Sequence, residues 1–191
     1  MEAEKIRIRL TGTRPLLMHS ARLADPLDPI RARLAKITSK RSKTIADHLE
    51  ISRIEWHGGL WLHEGRPCIP AEALLKTFQM AARASNRGQE ASAGIQIERP
   101  ALLEYDGPAD IDELGGDDRF VFRTTVKVGR ARTIRTRARF DNWAVEFDVL
   151  FLPTLLNRSE VLDTFMTAGF TKGVGDWRPT FGTYLAEERK E

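Results

Sequence analysis

The chain lacks several features that define common protein classes. It has a single cysteine in 191 residues, Cys68, which excludes an internal disulfide and a multi-cysteine zinc site. No apolar run approaches the roughly 20 residues that a membrane-spanning helix needs. The first ten residues, MEAEKIRIRL, lack the apolar stretch of a signal peptide. We therefore predict a cytoplasmic protein in a reducing compartment.

Motifs that identify nucleotide-binding and hydrolytic enzymes are also missing. The sequence has no Walker loop, no nucleophile elbow and no dinucleotide-binding fingerprint. His48, His57 and His63 lack the spacing and the neighbouring carboxylates of a metal site. We therefore predict a protein that has no cofactor, binds no metal and is not an enzyme.

Acidic residues are missing from the most basic stretch of the chain, residues 119–139, which holds eight Lys or Arg and no Asp or Glu. In a β-strand, residues two apart point to the same face. The charges fall into three sets of equal parity: Arg123 and Lys127; Arg130 and Arg132; Arg135, Arg137 and Arg139. This pattern predicts a β-ribbon with cationic faces, for which a phosphodiester backbone is the first candidate ligand.

The remaining charge is also segregated, although the net charge is only +3. Residues 22–43 carry seven basic and two acidic side chains, whereas residues 104–118 carry seven acidic and no basic ones. Segregation of this kind indicates a binding surface. The acidic stretch is suited either to pair with the basic ribbon of a neighbouring copy or to repel nucleic acid from one face.

Hydrophobic periodicity predicts the α+β class. In outline the order is strand 5–11, helix 70–85, strand 119–128, strand 143–152, helix 158–169 and strand 180–185. This β-α-β-β-α-β order is ferredoxin-like, as in RNA-recognition motifs, with four antiparallel strands and two helices behind them. We predict one domain over residues 1–191. A helical insertion at 20–66 and a basic hairpin arm at 128–140 project from its core.

A glycine-rich segment, residues 169–182, joins the last predicted helix to the last strand. Glycines allow backbone N–H groups to approach a phosphate closely. Lys172 and Arg178 add positive charge, and Trp177 is suited to stack on a base. The alternative is a purely structural role, in which the segment is an ordinary connecting loop with Trp177 packed on the core. Of the other aromatic residues, Phe140, next to Arg139, is the second candidate for stacking.

Four segments together resemble the RAMP superfamily, the RNA-recognition-motif-like subunits of CRISPR effector complexes. They are the opening strand with Leu16-Leu17-Met18-His19-Ser20, Ile69-Pro70 with the helix that follows, the basic hairpin, and Gly173-Val174-Gly175 through Gly182. The glycine segment departs from the usual pattern, because Trp177-Arg178-Pro179 stands where small residues are usual. A relative from a phage or another mobile element fits the same motifs.

The resemblance implies non-catalytic binding of single-stranded nucleic acid, RNA or DNA, by several copies stacked along the strand. The absence of a long apolar run predicts no membrane association. It implies that the hairpin contacts phosphates through Arg123, Lys127, Arg130, Arg132, Arg135, Arg137 and Arg139. A second set of contacts is expected from Lys40, Arg41 and Lys43 in the insertion.

Two alternatives remain open. Some proteins of the resembled family are metal-independent endoribonucleases that use a histidine near the first strand, and His19 occupies that region. An imidazole titrates near neutral pH, which suits proton transfer to and from a ribose hydroxyl. The other alternative is a protein-only adaptor subunit, which would bind no oligonucleotide.

Overall fold

A computed structural model describes residues 2–129 and 131–189. The strands are β1 (Glu4–Gly12), β2 (Leu16–Met18), β3 (Leu62–His63), β4 (Arg66–Ile69), β5 (Ile95–Gln96), β6 (Ala101–Glu104), β7 (Val121–Val128), β8 (Ala131–Phe140), β9 (Ala144–Phe151) and β10 (Tyr184–Glu188). The helices are α1 (Pro29–Thr38), α2 (Ile45–Gly59), α3 (Ala71–Ala84), α4 (Gly88–Ala93), α5 (Ile111–Gly116) and α6 (Arg158–Thr171). The α+β class is confirmed. None of the helices in the described part of the chain is both long and apolar enough to cross a membrane.

The chain forms two compact units. One consists of Met1–Leu16, Leu62–Asp106 and Asp141–Glu191, and the other of Leu17–Trp61 and Gly107–Phe140. We call the first the sheet unit and the second the hairpin unit. The hairpin unit brings together most of the predicted insertion and the predicted basic arm, which are far apart in sequence.

The sheet unit is built on an antiparallel sheet with the strand order β10-β1-β9-β6-β4-β3, and the short β5 also pairs with β9. One face of the sheet is apolar, because alternate residues of β1 and β9, such as Ile8 and Val149, are fully buried. Helices α3 and α6 cover this face, where the rings of Phe78 and Phe165 lie 4.9 Å apart and those of Phe147 and Phe165 lie 5.6 Å apart.

The opposite face of this sheet carries ion pairs. Arg7 pairs with Asp148 at 2.8 Å, and Arg9 bridges Glu104 at 2.6 Å and Glu146 at 2.9 Å. The two carboxylates raise the pKa of Arg9 above its ordinary value, Glu104 most of all, and Arg7 lowers the pKa of Asp148. The charges on this face are therefore matched within the sheet.

In the hairpin unit, β7 and β8 form the predicted ribbon. They pair in antiparallel register from Val121 opposite Ala138 to Val128 opposite Ala131. Gly129 lies at the turn with φ of +60°, in the left-handed region that glycine adopts without strain. The three-stranded sheet has the order β2-β8-β7, and α2 packs against β8. Asp28 caps α1, and a capping box of Thr44 and Asp47 begins α2.

Two sequence-based assignments of elements are wrong. The strand predicted at 119–128 as part of the main sheet is β7 of the smaller sheet, and β6 lies beside β9 instead. The pattern of β7 is alternating and half-polar, which identifies a strand but not the sheet it joins. The last strand is Tyr184–Glu188 and not 180–185.

Helix α2 continues through the pair Gly58-Gly59 and ends at Gly59. A Cβ on Gly58 would meet Leu23 and Ile30 at 2.6 to 2.7 Å. Glycine at position 58 therefore allows Leu23 and Ile30 to pack closely against α2, and it does not end the helix.

Candidate nucleic-acid interface

The predicted cations of the ribbon lie on two faces of the β7–β8 hairpin. Residues directly opposite each other in an antiparallel pair share a face. Arg123 is opposite Thr136, and Lys127 is opposite Arg132. These cations therefore lie on the same face as Thr136, whereas Arg135, Arg137 and Arg139 lie on the other face. Arg130 was predicted to contact phosphate and lies outside the described residues.

Helix α2 covers the first of these faces. The hydroxyl groups of Ser52 and Thr136 share a hydrogen bond of 2.9 Å. Phe140, predicted to stack on a base, is instead fully buried, with its ring 5.7 Å from that of Phe120. That prediction is wrong because Phe140 has the same parity as the buried Thr136 and Ala138, so it points into the core beneath α2.

A groove of about 690 Å³ lies within the hairpin unit, between α1, α2 and the free part of β8. Its described lining includes six Arg or Lys side chains: Arg31, Lys43, Arg123, Arg132, Arg135 and Arg137. It also includes the exposed His19 and His48, and Glu55 is the only carboxylate among the described residues that line it. We call it the basic groove. The charges that the sequence distributes over two basic stretches, residues 22–43 and 119–139, thus converge on one concave surface.

Glu55 organises one wall of the basic groove. Strand β2 has three residues and β8 has ten, so most of β8 has no strand on that side in the described chain. The Glu55 carboxylate, 2% exposed, accepts a hydrogen bond of 2.8 Å from the backbone N–H of Thr136. It accepts another, also of 2.8 Å, from Nη1 of Arg135. This carboxylate therefore provides the acceptor for an N–H at the free edge of β8, and it holds the Arg135 guanidinium at the groove.

Three other cations of the groove lack a counter-ion among the described residues. Among the described residues, Arg31, Arg123 and Arg132 make no ion pair, and Arg123 and Arg132 are exposed. The charge of one lining cation, Arg135, is matched by Glu55, and no other described carboxylate lines the groove. An anionic ligand would supply the missing negative charge.

The three predicted contacts in the insertion differ in their surroundings. Lys40 pairs with Asp47 at 2.6 Å, and this ammonium group lowers the pKa of Asp47 to about 2. Lys43 lines the basic groove and donates a hydrogen bond of 2.8 Å to the carbonyl of Lys40. Arg41 is exposed. Lys43 is thus the member of this set that lies in the groove.

The predicted contacts of the glycine-rich segment belong to the sheet unit. Trp177 is 41% exposed, with φ of +52° and its ring 6.2 Å from that of Phe181. Arg178 is exposed and its Nη1 lies 3.6 Å from Sδ of Met80, and Lys172 is half-buried at the end of α6. Trp177 is therefore placed on the surface, as stacking requires.

The glycines of this segment have packing roles. Gly173 and Gly182 have φ of +67° and +71°. Their backbones lie so close that a Cβ on Gly173 would be 2.9 Å from the carbonyl oxygen of Gly182. The buried Thr77 hydroxyl donates a hydrogen bond of 2.8 Å to the carbonyl of Gly173. The loop thus needs glycine for its own structure, whatever it binds.

Sequence reasoning missed three residues of the basic groove: Arg31, His48 and Glu55. Residues 22–43 are basic, but nothing local distinguishes Arg31 from the other cations there. The burial of Glu55 could have been recognised from the sequence. Glu55 lies between the apolar residues Ile54 and Trp56 in sequence, and one helical turn from Ser52 and Gly59 on the apolar side of α2. A carboxylate at such a position needs a buried partner.

Within the described ranges, no group of three or more His, Cys, Asp or Glu side chains is placed to hold a metal ion. No model of a known protein family matches this chain, and neither does any curated protein sequence.

Proposed function

We propose that the protein binds single-stranded nucleic acid, without catalysis, through the basic groove of the hairpin unit. The observation that carries this proposal is the convergence of six Arg or Lys side chains on one groove with a single described carboxylate. Phosphate oxygens are the anions that repeat along a polymer at intervals suited to such a row of cations. Binding is mainly electrostatic and weakly sequence-specific.

The shape of the site favours a single strand over a duplex. Proteins that read duplex DNA insert a projecting helix or ribbon into the major groove, which is about 12 Å wide. Here the cations line a concavity of about 690 Å³, so the ligand must enter the protein. A flexible strand can do so, and its bases remain available to Ile134, which is 50% exposed between Arg132 and Arg135.

The resemblance to the RAMP superfamily remains part of this proposal. The strand order β10-β1-β9-β6, with α3 and α6 on one face, supports a ferredoxin-like core in which β6 is the second strand. On this proposal the hairpin unit is the nucleic-acid-binding addition to that core. Several copies then bind along one strand in the cytoplasm. The ligand is either RNA or single-stranded DNA.

The experiment that tests the proposal is a fluorescence polarisation titration against labelled single-stranded RNA, single-stranded DNA and duplex at two salt concentrations. We expect submicromolar binding to at least one single strand at 50 mM salt, weaker binding to duplex, and a steep loss of affinity at 200 mM. The absence of affinity for every oligonucleotide at low salt would favour the adaptor alternative and contradict the proposal.

A further prediction concerns the glycine-rich segment. Replacing Lys172, Trp177 and Arg178 together with Ala should weaken single-strand binding by about tenfold, because a stacked base contributes about 1–3 kcal/mol. Polarisation titration measures this effect. Because the three side chains are exposed or half-buried, thermal unfolding should change little. Unchanged affinity would limit the interface to the hairpin unit.

One observation favours a second candidate function, metal-independent RNA cleavage. His19 and His48 both line the basic groove, so two imidazoles lie among cations that would hold a phosphodiester. One could accept a proton from the ribose 2′-hydroxyl while the other donates a proton to the leaving oxygen.

These two functions make opposite predictions for the fate of the RNA. On the binding proposal, labelled RNA incubated with excess protein and EDTA stays intact for hours, as denaturing gels would show. Cleavage that His19→Ala abolishes, while DNA of the same sequence stays intact, would establish the nuclease instead. His63→Ala is the matched control, since His63 does not line the groove.

A further inference from the structure

Three large apolar side chains are exposed along one edge of the sheet unit. Met166 is 51% exposed, Phe170 84% and Leu185 67%. They line a groove of about 470 Å³ along α6 and β10, together with Thr183 and Arg14. Clusters of this kind on an otherwise charged surface mark sites of protein contact.

The strand beside this groove has one unpaired edge. β10 is the terminal strand of the sheet, and in the described chain its only strand partner is β1. The N–H of Arg189 donates to the carbonyl of Arg7 at 2.9 Å, so the odd-numbered residues of β10 bond toward β1. The N–H and C=O groups of Ala186 therefore point away from the sheet. An edge of this kind is a template for another strand.

The charges at the two ends of this edge are opposite. Arg14 lies at the start, where its backbone N–H donates to the carbonyl of Thr183, and it makes no ion pair with any described residue. Glu187 lies near the end with its side chain 59% exposed, and its carboxylate lies 3.8 Å from the guanidinium of Arg189. An antiparallel copy of the same edge would bring each Glu187 toward the other copy's Arg14.

We propose that a second copy of this chain pairs with the free edge of β10, antiparallel and about a two-fold axis at Leu185. This register places the two Leu185 side chains in a non-hydrogen-bonded pair, the arrangement in which opposing side chains lie closest. Tyr184 and Ala186 of one copy then oppose Ala186 and Tyr184 of the other, and Glu187 opposes Thr183 beside Arg14. The surface is self-complementary, as a two-fold interface requires.

This contact rests on the self-association in the proposed function, where it would join the copies in pairs, and the pairs should form without nucleic acid. Because both copies use the same edge, the contact closes at two copies and does not by itself extend along a strand. The two-copy unit would carry two basic grooves. Removing groove cations should leave it intact, so that failure of pairing and failure of nucleic-acid binding are distinguishable.

The test is the mass of the full chain in solution, by sedimentation velocity over a range of concentrations without oligonucleotide. We expect a two-copy species for the wild type and a dissociation constant raised at least tenfold by Leu185→Asp, which buries two carboxylates at the axis. Leu27→Asp is the matched control, because Leu27 is 89% exposed in the hairpin unit. A monomeric wild type, or dissociation caused by Leu27→Asp instead, would overturn the proposal.

Charge reversal provides a second test that does not depend on the apolar contact. R14E alone and E187R alone should each weaken pairing, and the double variant should restore it, because the exchange regenerates opposite charges across the axis. Circular dichroism and thermal unfolding would verify that each variant is folded. If the double variant remains as dissociated as the single ones, the antiparallel register is wrong.

Discussion

Replacing Arg31, Arg123 and Arg132 together with Ala is expected to weaken binding to single strands by about 100-fold at 0.1 M salt. Each phosphate contact on a single strand contributes about 0.7 to the slope of log affinity against log salt concentration. Three lost contacts therefore reduce the magnitude of that slope by about 2. Over the decade of salt concentration from 1 M to 0.1 M, a change of 2 in the slope corresponds to about a 100-fold change in affinity.

These three arginines are chosen because they line the groove without an ion pair among the described residues. Their removal takes away ligand contacts and breaks no pair that stabilises the fold. Polarisation titrations at several salt concentrations give the affinity and the slope. The folded state of the variant is checked by thermal unfolding.

A matched control removes the same charge elsewhere. Lys36, Lys76 and Arg83 are exposed and lie outside the lining of the basic groove. Replacing these three with Ala lowers the net charge equally, so it reports the effect of overall charge alone. Equal losses of affinity in the two triple variants would mean that the groove is not the binding site.

The second large effect concerns stability. Glu55→Ala is expected to lower the free energy of unfolding by about 3 kcal/mol, because it removes a buried partner from a guanidinium and from a backbone N–H. The Thr136 N–H would be left without an acceptor, and Arg135 without its carboxylate. Arg135 is partly exposed and can regain hydration, so the loss lies at the lower end of the range for broken buried pairs.

Urea unfolding followed by tryptophan fluorescence measures this loss, since Trp56 is the neighbour of Glu55 in α2. Glu55→Gln should lose less, because an amide oxygen can still accept the bond from the Thr136 N–H. Glu50→Ala is the surface control on the same helix, where the carboxylate pairs with Arg33 and Arg53 at the surface, and should cost at most about 1 kcal/mol. Similar losses for Glu55→Ala and Glu50→Ala would contradict the role assigned to Glu55.

The stability of the hairpin unit and its electrostatics are thus linked through one side chain. Glu55 lowers the positive charge of the groove while holding Arg135 and the edge of β8 in place. Glu55→Gln should therefore have a mixed effect, in which the fold is weakened while attraction for phosphate at the remaining cations increases. Titration of this variant with a labelled single strand, at a constant temperature well below its unfolding midpoint, separates the effect on affinity from the effect on stability.

Local elements were the part of the fold that could be predicted from sequence. The β7–β8 ribbon follows from alternating side chains. The helix predicted at 158–169 is α6, for which the structure identifies Asn157 as the N-cap. The pairing of the strands was harder to predict, since the alternation in residues 119–128 is compatible with a place in any half-buried sheet. The stacking role of Phe140 failed for the same reason, because its neighbour in sequence, Arg139, lies on the opposite face.

The sequence by itself determined the α+β class of the fold, the existence of a cationic ribbon and the absence of acidic residues within it. Only the tertiary structure decided that Arg31 and Lys43 face the same groove as Arg123 and Arg132, and that Glu55 lies among them. Periodicity is a local property, because it records which face of an element each residue occupies. The partners of that face are set by long-range packing of segments that are distant in sequence, which no local pattern contains.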